Sequence, residues 1–273
     1  MGPPIVIPDP AKCQYGGRIS GGRGAIHANR DASTGGASSQ ADKLRLIADA
    51  DRAFAAPLGA DGAAVETAIH NYELAAAMQT AVPEAADLRG ESAATRALYG
   101  VDAKDQLLAR YARQCLLARR LAERGVRFIQ IFNRDWDHHS NVKGNVPMLC
   151  KQTDQGSGAL VQDLKQRGML DDTLVIWTGE FGRTPRINGQ AGRDHWPGAM
   201  SVLFAGGGLQ MGQAIGTTDS KAEYPTSKPY TPGCVLSTMY HTLGIDHHHV
   251  FYDQGRRPLP VLNEGQPIAE LIG

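Results

Sequence analysis

The sequence predicts an α/β fold in which a parallel sheet follows a helical region. Three observations carry that expectation. Residues 127–132 and 173–178 are short, nearly continuous apolar runs, and the stretch between them, 145–167, has helical periodicity and ends at Gly168. A strand, a helix and a second strand in that order read as a right-handed βαβ unit, its strands parallel and covered on both faces. Ahead of them, residues 40–124 repeat apolar side chains at helical spacing rather than in alternation.

The elements follow in chain order. Residues 1–39 are rich in Gly, Pro and Ser and show no sustained period, apart from a short apolar run at Ile5, Val6 and Ile7 that suits a strand. A first helix is expected over 40–56, with Leu44, Ile47, Ala48 and Phe54 close to one face and Pro57 ending it. A second, over 63–80, carries Val65, Ile69, Tyr72, Leu74 and Met78. A shorter piece spans 91–99, and a fourth helix spans 104–124 with Leu107, Leu108, Tyr111, Cys115 and Leu121 in register. Arg119, Arg120 and Arg124 fall in its last turns, where cations oppose the helix dipole, and Gly125 suits the position after the cap. Beyond the βαβ unit, residues 200–205 read as a third strand, and 234–243 as a helix ended by Gly244. The chain thus divides into an irregular segment (1–39), a helical region (40–125) and an α/β region (126–273).

Composition narrows the function. Twenty-eight basic and 28 acidic residues give zero formal net charge, so the chain has no electrostatic footprint for nucleic acid or an anionic membrane. No stretch approaches the roughly 20 apolar residues that span a bilayer. The first residues have neither a charged nor a long apolar leader region, so the chain as written reads as cytoplasmic. Cys13, Cys115, Cys150 and Cys234 are scattered without a C-x-x-C pair and read as free thiols rather than a disulfide framework.

The chemistry gathers after the strands. Ligands of open parallel sheets bind beyond the carboxyl ends of the strands. The first apolar run leads into Asp137, His138 and His139, and the second into Glu180 and Arg183. Parallel neighbours would bring Asp137, His139 and Glu180 to one edge, and Asp194 and His195 follow on the next loop. Each cluster alone is an ordinary loop pairing; three at one edge make a site. Mixed carboxylate and imidazole donors suit zinc, manganese or iron better than calcium. A divalent metal there, zinc or manganese, polarises a phosphoryl or sulfuryl oxygen and supplies hydroxide at neutral pH. The planar fork of Arg183 suits two oxygens of a tetrahedral anion, so a small anionic ester is the expected substrate. His247, His248 and His249 are consecutive, point different ways and read as a solvated turn; Gly206, Gly207 and Gly208 have no helix behind them and read as another.

Several stretches carry a resemblance: Tyr72 to Thr80, Thr95 to Gly100, Arg113 to Arg120, Trp136 to His139, Asp172 to Pro185, Gly192 to Pro197 and Leu243 to Asp246. In that order they resemble a large bacterial family of uncharacterised proteins, placed with sulfatases and phosphoglycerate mutases in the alkaline-phosphatase-like superfamily. The string Gly-Glu-Phe-Gly-Arg-Thr-Pro at 179–185 is its most specific part. The resemblance implies an alkaline-phosphatase-like parallel sheet, with Asp137 and His139 as D-x-H metal ligands, Glu180 as an acidic ligand and Asp194 and His195 on the last ligand-bearing loop. Phe181 stands where superfamily relatives place a His, and His138 where the family has a small residue. The implied activity is metal-assisted hydrolysis of phosphate or sulfate esters, with Arg183 on the anion. Superfamily members carry a first metal-binding Asp and the nucleophile on earlier strands, and family members a long N-terminal portion often preceded by an export signal. Nothing in this chain matches that portion, so the resemblance implies the metal-site half of an incomplete sheet. A non-catalytic binding or scaffold descendant, or a truncated fragment without activity, is the alternative.

Overall fold

The computed structural model describes residues 5–7, 37–57, 66–67, 69–70, 84–253 and 255–273, and the chain is a mixed α/β protein. Its residues group into two compact units, 1–96 with 116–133, and 97–115 with 134–273.

In the first unit, β1 (Ile5–Ile7) pairs in parallel with β2 (Ile129–Ile131), so the apolar run at the start of the chain is a strand as expected. Helix α1 (Ala37–Ala55) stops ahead of Pro57. Ala48 lies buried on it, whereas Ile47 and Phe54, expected on the same inner face, are exposed. The helix expected over 63–80 lies outside the described residues except for 66, 67, 69 and 70, which are helical. Helix α2 (Ala93–Tyr99) and helix α3 (Gln106–Glu123) follow, and each contributes residues to both units. The Asp105 carboxylate accepts from the amides of Leu107 and Leu108, a cap that fixes where α3 begins. Within this unit Ala85, Ala118 and Leu121 form a buried cluster on which Val126, Ile129 and Ile131 pack.

The arginines at the end of α3 do more than oppose its dipole. Glu91 accepts from Arg119 Nη2 at 2.7 Å and Arg120 Nη1 at 2.6 Å, and Arg119 Nη1 also donates to Glu123 at 2.6 Å. The Arg119 and Glu91 side chains are nearly sealed from water, at 3% and 8% exposure. Burial alone pushes the Glu91 carboxyl up; the bonds from Arg120 and Arg119 outweigh it and hold it below the ordinary glutamate range. A carboxyl depressed on folding stabilises above its unfolded value of about 4.3 and loses that contribution as pH falls through the folded value. Glu91→Gln is therefore expected to lower the unfolding free energy at pH 7 by about 1.5–3 kcal/mol, the worth of hydrogen bonds to a charged group. Urea unfolding of both proteins should show the gap closing below about pH 4.

The second unit is built on the first half of α3 and on α4 (Val142–Gln166). The buried positions of α4, Leu149, Gln152, Thr153, Gly156, Ala159, Asp163 and Leu164, trace one helical stripe. Gly156 lets the helices close up: a methyl there would sit 3.0 Å from the Tyr111 ring and 3.3 Å from the Ala112 backbone. The buried Tyr99 hydroxyl donates to Asp163 at 3.1 Å, and Gln155 caps the carbonyls of Ala97 and Leu98. Leu107, expected in register with this core, is instead 48% exposed. Cys115 is buried, its thiol pushed up to about 12 by burial, and Cys150 and Cys234 are free and half-buried.

The strands depart from the expected βαβ unit. Strand β3 (Leu174–Trp177) pairs antiparallel with β6 (Leu203–Gly206), from Leu174 opposite Gly206 to Trp177 opposite Leu203. The partner of β2 is β1, and the five sheets among the described residues have two strands each. An apolar run specifies a strand but neither its neighbour nor its direction, which is why the strand–helix–strand order suggested a wider parallel sheet. Between β3 and β6 run the short antiparallel pair β4 (Gly182–Arg183) and β5 (His195–Trp196). Two further pairs, β7 (Thr217–Thr218) with β8 (Pro225–Ser227) and β9 (Val250–Tyr252) with β10 (Pro258–Pro260), flank α5 (Pro232–Thr242), and α6 (Ala269–Ile272) ends the chain. The histidines 247–249 lie in and after a turn in which Asp246 accepts from the amides of His248 and His249; His248 and His249 are exposed as expected, whereas His247 is half-buried with its Nε2 out of water. No described helix is long and apolar enough to cross a membrane.

Candidate metal centre

The site is a product of backbone pairing. The β4–β5 ladder sets Arg183 directly opposite His195, so both side chains leave the same face. A second antiparallel seam joins the loop after β2 to the loop before β5. Arg193 N donates to His138 O at 2.9 Å, Val142 N to Ala191 O at 2.8 Å, and Ser140 bridges Ala191. The two seams fix residues 137–142 and 190–196 against each other. They bring Asp137, His139 and His195 together although 58 residues separate the ends of that set.

The three ligand-type atoms form a nearly equilateral triangle. His139 Nε2 lies 3.0 Å from Asp137 Oδ1, His195 Nε2 lies 3.1 Å from the same oxygen, and the two nitrogens are 3.2 Å apart. Zinc bonds of about 2.0–2.1 Å place tetrahedral ligand atoms about 3.3 Å apart. Octahedral bonds of about 2.1 Å place neighbouring ligand atoms about 3.0 Å apart. The triangle has the size of either. It is also open, since all three side chains are about half exposed.

Asp194 completes the arrangement from behind. Its Oδ1 accepts from His139 Nδ1 at 2.9 Å. A carboxylate accepts only, so Nδ1 carries the proton and Nε2 of a neutral ring turns its lone pair to Asp137. Two acceptors facing each other at 3.0 Å repel unless a cation lies between them, and a proton or a metal ion meets that need. Hydrogen bonds from His139 and Asn188 hold the Asp194 carboxyl below its usual range. A carboxylate behind a histidine is the usual outer partner of a metal-bound imidazole. Asp194→Asn is expected to weaken metal binding about 10–100-fold, measured by competition with a chromophoric chelator.

The other expected residues take neighbouring places. Arg183 spans two carboxylates, with Nη1 on Asp137 Oδ1 and Nη2 on Glu180 Oε1 at 2.7 Å. Its bond is the chief reason that the Asp137 carboxyl sits below the ordinary range. Glu180 therefore reaches the centre through Arg183 and lies outside the triad, as does Asp194. The Phe181 ring stacks on His195 at 4.4 Å between centroids and carries the Arg183 guanidinium on its face at 5.3 Å. Phe181 thus fixes two site residues.

Asn188 escaped the motif-based reading. Its amide donates to His139 O at 3.1 Å and Asp194 Oδ1 at 3.0 Å, and its carbonyl accepts from the amides of Gln190 and Gly192. One side chain therefore ties together both loops that carry histidines. The available signal was the Asn188-Gly189 dipeptide, a turn marker between the strands that bear Arg183 and His195. Thr184 works similarly: its hydroxyl accepts from Asp194 N and donates to Arg186 O.

The donor set fits a divalent cation. Asp137, Glu180 and Asp194 bring three negative charges and Arg183 one positive, which leaves an excess of two. No curated protein and no solved structure matches this chain. A family profile matches residues 13–272, nearly the whole length. The chain belongs to that family, described as "Protein of unknown function (DUF1501)".

Proposed function

We propose that this chain carries a divalent-metal site, zinc or manganese, that hydrolyses small phosphate or sulfate esters. One observation carries the reading: the open triangle of Asp137, His139 and His195 whose central imidazole is oriented by Asp194. Bound there, the metal would polarise an ester oxygen and supply hydroxide at neutral pH. Asp137, His139 and His195 would hold it, and Asp194 would keep the His139 tautomer correct. Arg183, between Asp137 and Glu180, offers planar donors to an anion at the same rim. Kinship with the alkaline-phosphatase-like superfamily, and with its parallel sheet, rests on the order of the Asp-x-His, Gly-Glu-Phe-Gly-Arg and Arg-Asp-His motifs. It is fold-level analogy beside the geometry.

A second reading is a non-catalytic binding or scaffold protein built on the same site. It is favoured by the commitment of the Thr184 hydroxyl to Asp194 and Arg186. Among the described residues no base bonds the nearby Ser140 hydroxyl, and the Thr184 hydroxyl is already committed, so neither side chain has the equipment of a nucleophile. Elemental analysis after loading and gel filtration, with turnover of p-nitrophenyl phosphate and p-nitrocatechol sulfate, separates the readings. Stoichiometric metal with chelator-sensitive turnover supports the hydrolase. Metal without turnover supports the binding protein, and no metal at all rejects both.

A further inference from the structure

Beside the triad lies a cleft of about 470 Å³, within the range of small-molecule sites. It runs between the Trp136–His138 segment and the first turns of α4, and Arg183 lines it as well as touching Asp137. Its walls are of two kinds. Trp136, Val142, Val146 and Pro147 make an apolar body, and Lys143 and Arg193 make a cationic rim, with the carboxylate-paired Arg183 beside them.

Two polar groups there lack the partner their chemistry asks for. His138 Nε2 is buried and bonds nothing among the described residues, although His138 lines the cleft. A buried polar atom left so costs about 1–3 kcal/mol until something supplies its bond. The Arg193 guanidinium is held by the carbonyls of Thr184 and Pro185, at 2.6 and 2.9 Å. Those bonds fix its position, and among the described residues no carboxylate pairs with it. Lys143 is exposed on the first turn of α4, whose dipole adds to the positive potential.

We infer that this cleft binds the organic part of the substrate, and that this part is a flat apolar group bearing an anionic substituent, as in an ester of an aromatic hydroxy acid. The inference rests on the hydrolase reading for the word substrate, while the cleft itself is separate from the metal ligands. Apolar walls reject a sugar or glycerol moiety, which would leave its hydroxyls unpaired against Val142, Val146 and Pro147. An aromatic ring against Trp136 gains stacking as well as burial. Its acid group meets Lys143 and Arg193, and an acceptor or donor on it satisfies His138. An anion without a ring, or a ring without an anion, meets half of the lining.

Calorimetric titration of the full chain with 1-naphthoate, which has no bond to hydrolyse, tests this. Micromolar to submillimolar binding is expected, with acetate and 1-naphthylmethanol at least tenfold weaker. Val146→Asp and Lys143→Glu, on exposed or half-exposed positions of α4, should each weaken naphthoate about tenfold or more and leave metal content unchanged. The metal-free His139→Ala, His195→Ala variant should still bind naphthoate, within about threefold of the wild type. Acetate binding as well as naphthoate, or undiminished binding in both α4 variants, overturns the subsite. Absent naphthoate binding in a protein that retains stoichiometric metal also overturns it and leaves the metal centre standing.

Discussion

A His139→Ala, His195→Ala double variant is expected to lose stoichiometric zinc or manganese altogether. Structural zinc sites with four ligands are worth about 10–16 kcal/mol, so each ligand carries about 2.5–4 kcal/mol, or about 10²–10³-fold in affinity. Removing two of the three proposed ligands leaves Asp137, already engaged by Arg183, as a single weak contact. The affinity should fall by at least about 10⁴-fold, below what survives gel filtration. The fold should persist, because both histidines are about half exposed and neither belongs to a buried cluster. Circular dichroism and a thermal melt beside elemental analysis check both halves. Metal content equal to the wild type in a folded double variant would place the ion elsewhere and remove the ground for the hydrolase reading.

The sequence foretold the residue chemistry of this site better than the sheet around it. Asp137, His139 and His195 stood out because carboxylate and imidazole donors recur just beyond strands, where backbone ends and loops begin. Helices α3 and α4 were legible because their apolar periodicity runs over four or more turns. Strand pairing was not. The run at 174–177 is equally apolar whichever neighbour it meets, and its antiparallel partner at 203–206 is set by how the chain between them turns back through β4 and β5. The convergence expected from parallel neighbours arises instead from two antiparallel seams.

The same distinction separates the proposed ligands from their neighbours. Asp194 and Glu180 are chemically fit to bind a metal, and sequence cannot separate a ligand from a residue one bond behind it. Distance places both beside the triad: Asp194 accepts a hydrogen bond from His139 Nδ1, and Glu180 accepts one from Arg183. Their charges still count toward the excess that favours a divalent cation. Asn188 and Phe181 act only through contacts, by hydrogen bonds and by stacking, and a motif search for ionisable residues passes over both.

Gly192→Ala should be a severely damaging single-methyl change in the site. The seam between residues 138–142 and 190–193 brings the Gly192 Cα against the His139 carbonyl, and an added Cβ would overlap that carbonyl and Ser140 N. These are backbone atoms pinned by Arg193 N to His138 O and Val142 N to Ala191 O, so no side chain can rotate away. The loops must part, and His139 moves relative to Asp137 and His195. Catalytic and metal sites tolerate only about 0.5 Å of such displacement. Stability should drop by about 3 kcal/mol, the upper end for overpacking, and metal affinity by more than about 100-fold, beyond the loss of one outer partner. Gly189→Ala is the matched control, since a methyl there meets nothing within 4 Å. Parallel melts and chelator competition on the two variants should give a large loss for the first and near wild-type values for the second. Equal behaviour would mean that the two loops are not held together in solution, and with them would go the triangle of ligand atoms.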